Sequence, residues 1–316
     1  MKQIMIKVTV AFGFLSLVSL IFVGFSFYIT KYDLLAKEYE GAYPEDKDLN
    51  IEACIKGSQK EIRSFSIKGE PAKSIPVLTY HRITHEEDLT KRHYIKGKIN
   101  PMIVTTENFK RQMDYLKENG FVTLTMSELY AFLTNDLDVP EKSVVLTFDD
   151  GYKDNYIEAY PILKEHGFKA ANFLITGAIS NRIQTYTPKY VQYFSTKELS
   201  KACDVFDYES HTYNLHKREK KDKNGRLAYL LSKSDQEVKK DLETSIFHLE
   251  GENLAFAYPY GEYSPRTIDT LRDLGFKMAF TTEEDIATPA SHLYEIPRFQ
   301  IFYSVSMKKF KSYVNQ

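Results

Sequence analysis

The sequence predicts an α/β fold, a parallel sheet closed into a (β/α) barrel that occupies residues 74–316 of the 316-residue chain. Three observations point there. From residue 75 onward short apolar runs alternate with helical segments, the pattern of βαβ units. One run, Val144-Val145-Leu146-Thr147-Phe148, has no polar face, as a strand covered on both sides requires. Polar clusters also sit just past the ends of several apolar runs, and that end of a parallel barrel is where active sites assemble.

The elements follow in order. Lys2 and Lys7 precede Val8–Ile29, an uncharged run of Val, Phe, Leu and Ile. Its length matches a membrane span of about 20 residues better than a signal-peptide core of about 7–15. Residues 1–30 are therefore expected to form an uncleaved signal anchor and single transmembrane helix, with the positive N-terminus in the cytoplasm and the catalytic part extracellular. Cleavage would instead leave a secreted or wall-associated protein. Residues 31–73, polar and mixed in charge, read as an extracellular stalk.

Ser74–His81 is a short strand ending in a histidine, and Asn100–Thr105 is extended. Phe109, Met113 and Leu116 space a helix that Gly120 closes, and Thr125 opens a second helix through Leu133. After Asp149-Asp150-Gly151 come a helix over 155–166, a strand over 170–176, a helix over 196–203 and a strand over 205–210. A helix over 234–249, a strand over 254–258, a helix over 265–274, strands over 276–281 and 296–302 and a terminal helix complete the alternation.

A net charge of −1 gives no electrostatic case for nucleic acid as a partner. The 23 Tyr and 21 Phe suit sugar stacking, but most of such rings belong in a core. Cys54 and Cys203 lack CxxC spacing and pair only if the fold brings them together. Lys217–Arg226 holds six Lys or Arg against two acids, which reads as a solvated loop or as a contact with anionic wall polymer or membrane surface.

Four strand ends carry the chemistry: His81, Asp149-Asp150, His211 through His216, and Tyr258-Pro259-Tyr260-Gly261. Adjacent buried carboxylates are costly unless a cation or a proton is shared. Two imidazoles and one carboxylate form a ligand set used by catalytic zinc, which lowers the pKa of bound water and polarises a carbonyl. The second aspartate could take the proton from that water. Cobalt, nickel and iron also suit these ligands.

Thr147-Phe148-Asp149-Asp150-Gly151, the later His motif and Pro259-Tyr260-Gly261 resemble the polysaccharide deacetylases of carbohydrate esterase family four, of NodB-like fold. Leu78-Thr-Tyr-His81-Arg, Glu209-Ser-His211-Thr-Tyr-Asn-Leu-His216 and Ala257-Tyr-Pro-Tyr-Gly261 resemble its biofilm branch, the poly-β-1,6-N-acetylglucosamine N-deacetylases. The resemblance spans residues 75 to 303. It implies a distorted (β/α) barrel and metal-dependent removal of acetyl groups from an N-acetylglucosamine polymer, with the polymer's synthesis and export machinery as a partner. By motif, Asp149 would be the base, and Asp150, His211 and His216 the metal ligands. The Tyr260 backbone N–H would help hold the oxyanion, with Tyr258, Pro259 and Tyr260 on the substrate.

The chain departs from the general family in three places. A late Leu-x-His motif is missing, and His292 lies in a loop, so His81 takes the acid's place as in the biofilm branch. The histidine pair is spaced one residue wider than His-x-x-x-His. The usual arginine before Pro-Tyr is absent, which makes Arg298 the candidate for orienting Asp149. The rivals are a deacetylase of peptidoglycan or chitin-type β-1,4 glycan, and a glycan-binding barrel without catalysis.

Overall fold

The computed structural model describes residues 13–29, 31, 42–51, 54, 62–67, 69–222, 225–251 and 253–316. It forms two units, residues 1–41 and 42–316. In the first, residues 13–29 are helical with exposed side chains. Among the described residues no helix is long and apolar enough to cross a membrane. The transmembrane helix expected from the sequence is therefore not supported, and residues 1–12 and 30 lie outside the described residues.

In the second unit the strands are β1 (Val77–Tyr80), β2 (Arg82–Thr84), β3 (Tyr94–Ile95), β4 (Lys98–Ile99), β5 (Ile103–Thr105), β6 (Val122–Thr123) and β7 (Ser143–Asp150). They continue as β8 (Ala170–Leu174), β9 (Phe206–Ser210), β10 (Arg218–Asp222), β11 (Gly225–Ala228), β12 (Ala255–Ala257), β13 (Met278–Phe280) and β14 (Phe299–Gln300). The helices are α1 (Thr106–Glu118), α2 (Met126–Leu133), α3 (Tyr160–His166), α4 (Thr196–Ala202), α5 (Tyr229–Ser232), α6 (Asp235–His248), α7 (Pro265–Asp273) and α8 (Met307–Val314). The main sheet runs β13-β12-β9-β8-β7-β1-β14, with β6 beside β7. Every one of its pairings is parallel.

The sheet curls until its last stretch touches both edges. Phe299 and Gln300 pair with β1, while Ile296, three residues earlier, bridges Phe280 of β13. That single bridge closes the barrel, which is why the fold is a distorted barrel rather than a regular one. Strand β7 explains the two-sided core. Val144, Leu146 and Phe148 pack outward with Phe109, Met113 and Leu116 of α1. Val145 faces the barrel interior with Val77, Phe173, Ala257 and Phe280, and α2 plugs the floor through Leu129 and Phe132. With a side-chain period of two, Asp149 continues the interior row begun by Val145 and Thr147.

Caps fix the helix starts. The Thr105 side chain accepts from Asn108 N, and Thr125 and Glu128 form a capping box on α2. Gly167 closes α3 in the left-handed conformation at φ 68°.

Two expectations are corrected. From residue 42 onward, the described parts of the segment read as a stalk belong to the same unit as the barrel. Tyr43, Leu49 and Ile51 are buried, Tyr43 N donates to Gly177 O at 2.8 Å, and Arg63 pairs with Glu128 at 2.6 Å. These few anchors have no period, so the polar composition around them dominated the reading. The basic stretch read as a solvated loop pairs antiparallel as β10–β11. Its charged residues alternate without an apolar face, so no strand signal survives. The short hairpin β3–β4 and strand β2 were likewise unmarked, whereas β5, the parallel partner of β2, lies in the stretch read as extended. Cys54 and Cys203 form no disulfide, and each lies against a carbonyl of α4, Leu199 O at 4.0 Å and Ser200 O at 3.3 Å.

Candidate active site

The C-terminal ends of β1, β7, β9 and β12 open onto one cavity of ≈ 560 Å³. His81, Asp149, Asp150, His211, His216, Tyr258 and Tyr260 line it, so the four strand ends read from sequence do converge. Pro259 is buried and does not line the cavity. His292 sits elsewhere, exposed and paired with Glu295 at 3.2 Å.

A regular strand would point Asp149 and Asp150 to opposite faces. The backbone breaks that alternation at Asp150, whose φ is 78°. Gly151 follows at φ 76°, and a Cβ there would stand 2.9 Å from Leu174 Cδ2. The same left-handed region holds Thr212 at φ 78° and Tyr260 at φ 61°. Each non-glycine residue held there costs on the order of 1 kcal/mol or more, and such strain concentrates at functional sites.

Asp149 is fixed by Arg298. Two N–H groups of the guanidinium reach its two oxygens, both at 2.8 Å, and Nε donates to Thr281 O at 3.0 Å. Arg298 is 0% exposed and lies between the rings of Phe173 and Phe280 at 5.6 and 5.7 Å. Burial alone would raise the Asp149 pKa, but the charges of Arg298 and His211 hold it below the usual carboxylate value.

Asp150, His211 and His216 bring one donor atom each within 4.8 Å of one another. Asp150 Oδ1 lies 3.5 Å from His211 Nε2 and 3.3 Å from His216 Nε2. Yet this buried oxygen has no hydrogen-bond partner. His211 Nδ1 donates to Ala257 O at 2.7 Å, which turns Nε2 toward Asp150. Burial pushes His216 down to about 4, leaving a neutral imidazole with a free lone pair at neutral pH. For His211 the two carboxylates outweigh the burial that opposes its charge, and its pKa rises. An orphaned buried carboxylate oxygen facing two imidazole nitrogens fits a divalent cation well.

His81 is half-buried, with its carbonyl accepting from Asn155 Nδ2 at 2.7 Å. The next residue, Arg82, is locked to Asp154 by a buried pair at 2.8 Å, which anchors the chain just after His81. The Tyr260 ring packs 4.5 Å from His216, with the Arg218 guanidinium 4.1 Å over the ring, and Arg218 itself pairs with Glu262. Tyr258 is buried, its ring stacked on Tyr263 at 4.5 Å and its hydroxyl on Tyr294 O at 3.0 Å.

Of the residues the sequence reading did not assign to the site, three bear on its construction. Arg218 enters the cavity wall from the unrecognised β10–β11 hairpin. Gln300 lines the cavity two residues beyond Arg298. Asp241 of α6 accepts from Tyr213 N at 2.9 Å and Asn214 N at 2.7 Å, and so shapes the turn between the two histidines. Its signal was present: Asp241 shares a helical face with the buried Val238, Leu242, Ser245 and His248. Burial pushes its carboxyl up to about 6, against the pull of those two N–H groups.

The sequence model of the polysaccharide deacetylase family matches residues 136–279. The poly-β-1,6-N-acetyl-D-glucosamine N-deacetylase of Staphylococcus epidermidis is 30% identical over 233 residues, 71% of this chain and 78% of the relative. The chain belongs to the polysaccharide deacetylase family. It is accordingly a hydrolase of carbon–nitrogen amide bonds. Among solved structures, the Streptococcus pyogenes deacetylase PplD in complex with acetate is 27% identical, with a TM-score of 0.63 over 78% of this chain and 100% of that one. IcaB from Ammonifex degensii shares the fold at 24% identity and a TM-score of 0.61, covering 80% of this chain and 100% of that one.

Proposed function

We propose that the protein removes acetyl groups from poly-β-1,6-N-acetylglucosamine at the cell surface, in a metal-dependent reaction that matures a biofilm polysaccharide. The observation that carries the chemistry is a buried Asp150, His211 and His216 cluster with an unpartnered carboxylate oxygen, beside an Asp149 held in a forked arginine grip. The name of the Staphylococcus epidermidis relative supports the β-1,6 polymer.

Asp150, His211 and His216 would hold the cation, zinc in the first instance. When bound, it supplies Lewis acidity toward the acetamido carbonyl and acidifies water. Asp149 takes the proton of the attacking water as general base, with Arg298 keeping its oxygens aimed into the cavity. Attack breaks the carbonyl π bond, and the developing oxyanion is stabilised by the Tyr260 backbone N–H. His81 delivers a proton to the amide nitrogen as the C–N bond breaks. Acetate and a glucosamine unit result, and the free amine protonates and makes the polymer cationic.

The test is acetate release from β-1,6- and β-1,4-linked N-acetylglucosamine oligomers, side by side, with Asp150→Ala as control. Faster release on the β-1,4 series would move the substrate to peptidoglycan or chitin-type glycan. Equal release by wild type and Asp150→Ala would sink the mechanism. The surface location rests on the apolar N-terminal run, with the barrel outside and the polymer's synthesis and export machinery nearby. Recovery of the full chain in the soluble cytoplasmic fraction would overturn it.

A further inference from the structure

Gln300 lines the cavity and carries an unused donor. Strand β14 sets it level with Thr79 of β1, which in turn lies level with Thr147 of β7. The Thr79 and Thr147 hydroxyls meet at 3.1 Å inside the barrel, and Arg298 Nη1 reaches Thr147 Oγ1 at 3.3 Å. Gln300, two residues past Arg298, therefore points to the same interior, one step nearer the mouth. Its side chain is 6% exposed and lines the cavity with His81, Asp149 and Asp150. Its Nε2 is buried without a hydrogen-bond partner. A buried amide N–H left unpaired is costly, and a turn of the terminal amide about its last torsion presents that N–H to an acceptor that arrives with the ligand.

The proposed reaction names the acceptor. Asp149, Asp150 and Glu284 share the cavity with Arg218 and three histidines, and the sugar that enters it presents hydroxyl and ring oxygens as neutral acceptors. We propose that Gln300 Nε2 donates a hydrogen bond to a hydroxyl or ring oxygen of the sugar whose acetamido group is cleaved, making Gln300 a substrate-positioning residue. This assignment rests on the N-acetylglucosamine reading given above.

The test uses the full, metal-loaded chain. Gln300→Met keeps the length and removes the polar atoms, while Gln300→Glu keeps the shape and removes the donor. Acetate release from an N-acetylglucosamine oligomer gives kcat and KM. Calorimetry with the deacetylated oligomer, which cannot be turned over, gives Kd. An aryl acetate reports on the chemistry without a sugar. In Gln300→Met, KM and Kd rise about tenfold, the weight of one hydrogen bond. The aryl acetate reaction falls by less, and the unfolding midpoint is not lowered, since no folded-state bond is lost. Gln300→Glu binds no better than Gln300→Met.

Equal Kd in wild type and Gln300→Met overturns the assignment, as does equal loss on oligomer and aryl acetate. A Gln300→Glu variant that binds like wild type overturns the donor role. A wild-type protein that binds the oligomer but releases no acetate overturns the proposed reaction alone, and Kd still decides Gln300. A wild type with no affinity for the oligomer overturns both.

Discussion

Replacing Arg298 with methionine isolates the grip on Asp149. Methionine fills much of the slot between Phe173 and Phe280 but supplies none of the N–H groups that reach Asp149 and Thr281 O. The Asp149 carboxylate, 3% exposed, then stays buried without its partner. Removing one member of a buried pair costs about 3–5 kcal/mol. At about 2–4 °C per kcal/mol for a unit of this size, the unfolding midpoint falls by roughly 6–20 °C. Activity falls further than stability accounts for. A base that is turned away or protonated forfeits most of the about 10²–10⁴-fold that general-base catalysis supplies, so kcat drops about 10²–10³-fold at temperatures where the variant is folded. Metal content holds, because the Arg298 hydrogen bonds go to Asp149, Thr147 and Thr281 rather than to the cation cluster. Arg298→Lys restores a charge without the fork and lies between the two. Acetate release, thermal melts and metal analysis on one preparation decide the matter. A folded Arg298→Met protein within threefold of wild-type kcat refutes the reasoning.

Three further outcomes are expected. Asp241, raised from 3.8 to about 6 by burial, binds its proton more tightly folded than unfolded. The stability this confers is complete below pH 3.8 and is lost as pH rises through about 6, a loss of about 3 kcal/mol. The wild-type minus Asp241→Asn difference in urea stability should follow that fall, and a flat difference from pH 4 to 7 contradicts it. Chelation should abolish acetate release and lower the melting midpoint, with zinc restoring both, while His211→Ala should lose bound metal; full activity in verified metal-free protein excludes the cation cluster from the chemistry. Gly151→Ala should cost about 1–3 kcal/mol, from φ 76° and the 2.9 Å approach to Leu174, and an unchanged melt would contradict the tight turn.

The site was legible wherever chemistry coincided with a strand end. Asp149, Asp150, His211 and His216 each follow an apolar run, and a parallel barrel gathers such ends whatever their separation. Arg298 could be named only as a candidate, because its pairing with Asp149 spans 149 residues and no local pattern encodes it. Gln300 was illegible for a related reason: its meaning lies in an unpaired atom, which only packing reveals. Asp241 was legible in principle as an acid on the apolar face of α6, but acids at helical spacing usually face water. The hairpin β10–β11 hid behind its lysines and arginines. Tyr43, Leu49 and Ile51 hid within a polar segment too irregular to show a period.

The forked grip has a consequence for the order of assembly. Asp149 enters the chain at mid-length, whereas the strand that delivers Arg298 is nearly the last to be made. Until that C-terminal stretch docks between β13 and β1, the nascent chain holds a carboxylate with no counter-charge and a barrel with an open seam. A partly synthesised or clipped molecule is thus expected to lose at least what Arg298→Met loses, even with Asp150, His211 and His216 in place. The terminal stretch works like an arming pin: closing the fold and gripping Asp149 are one event.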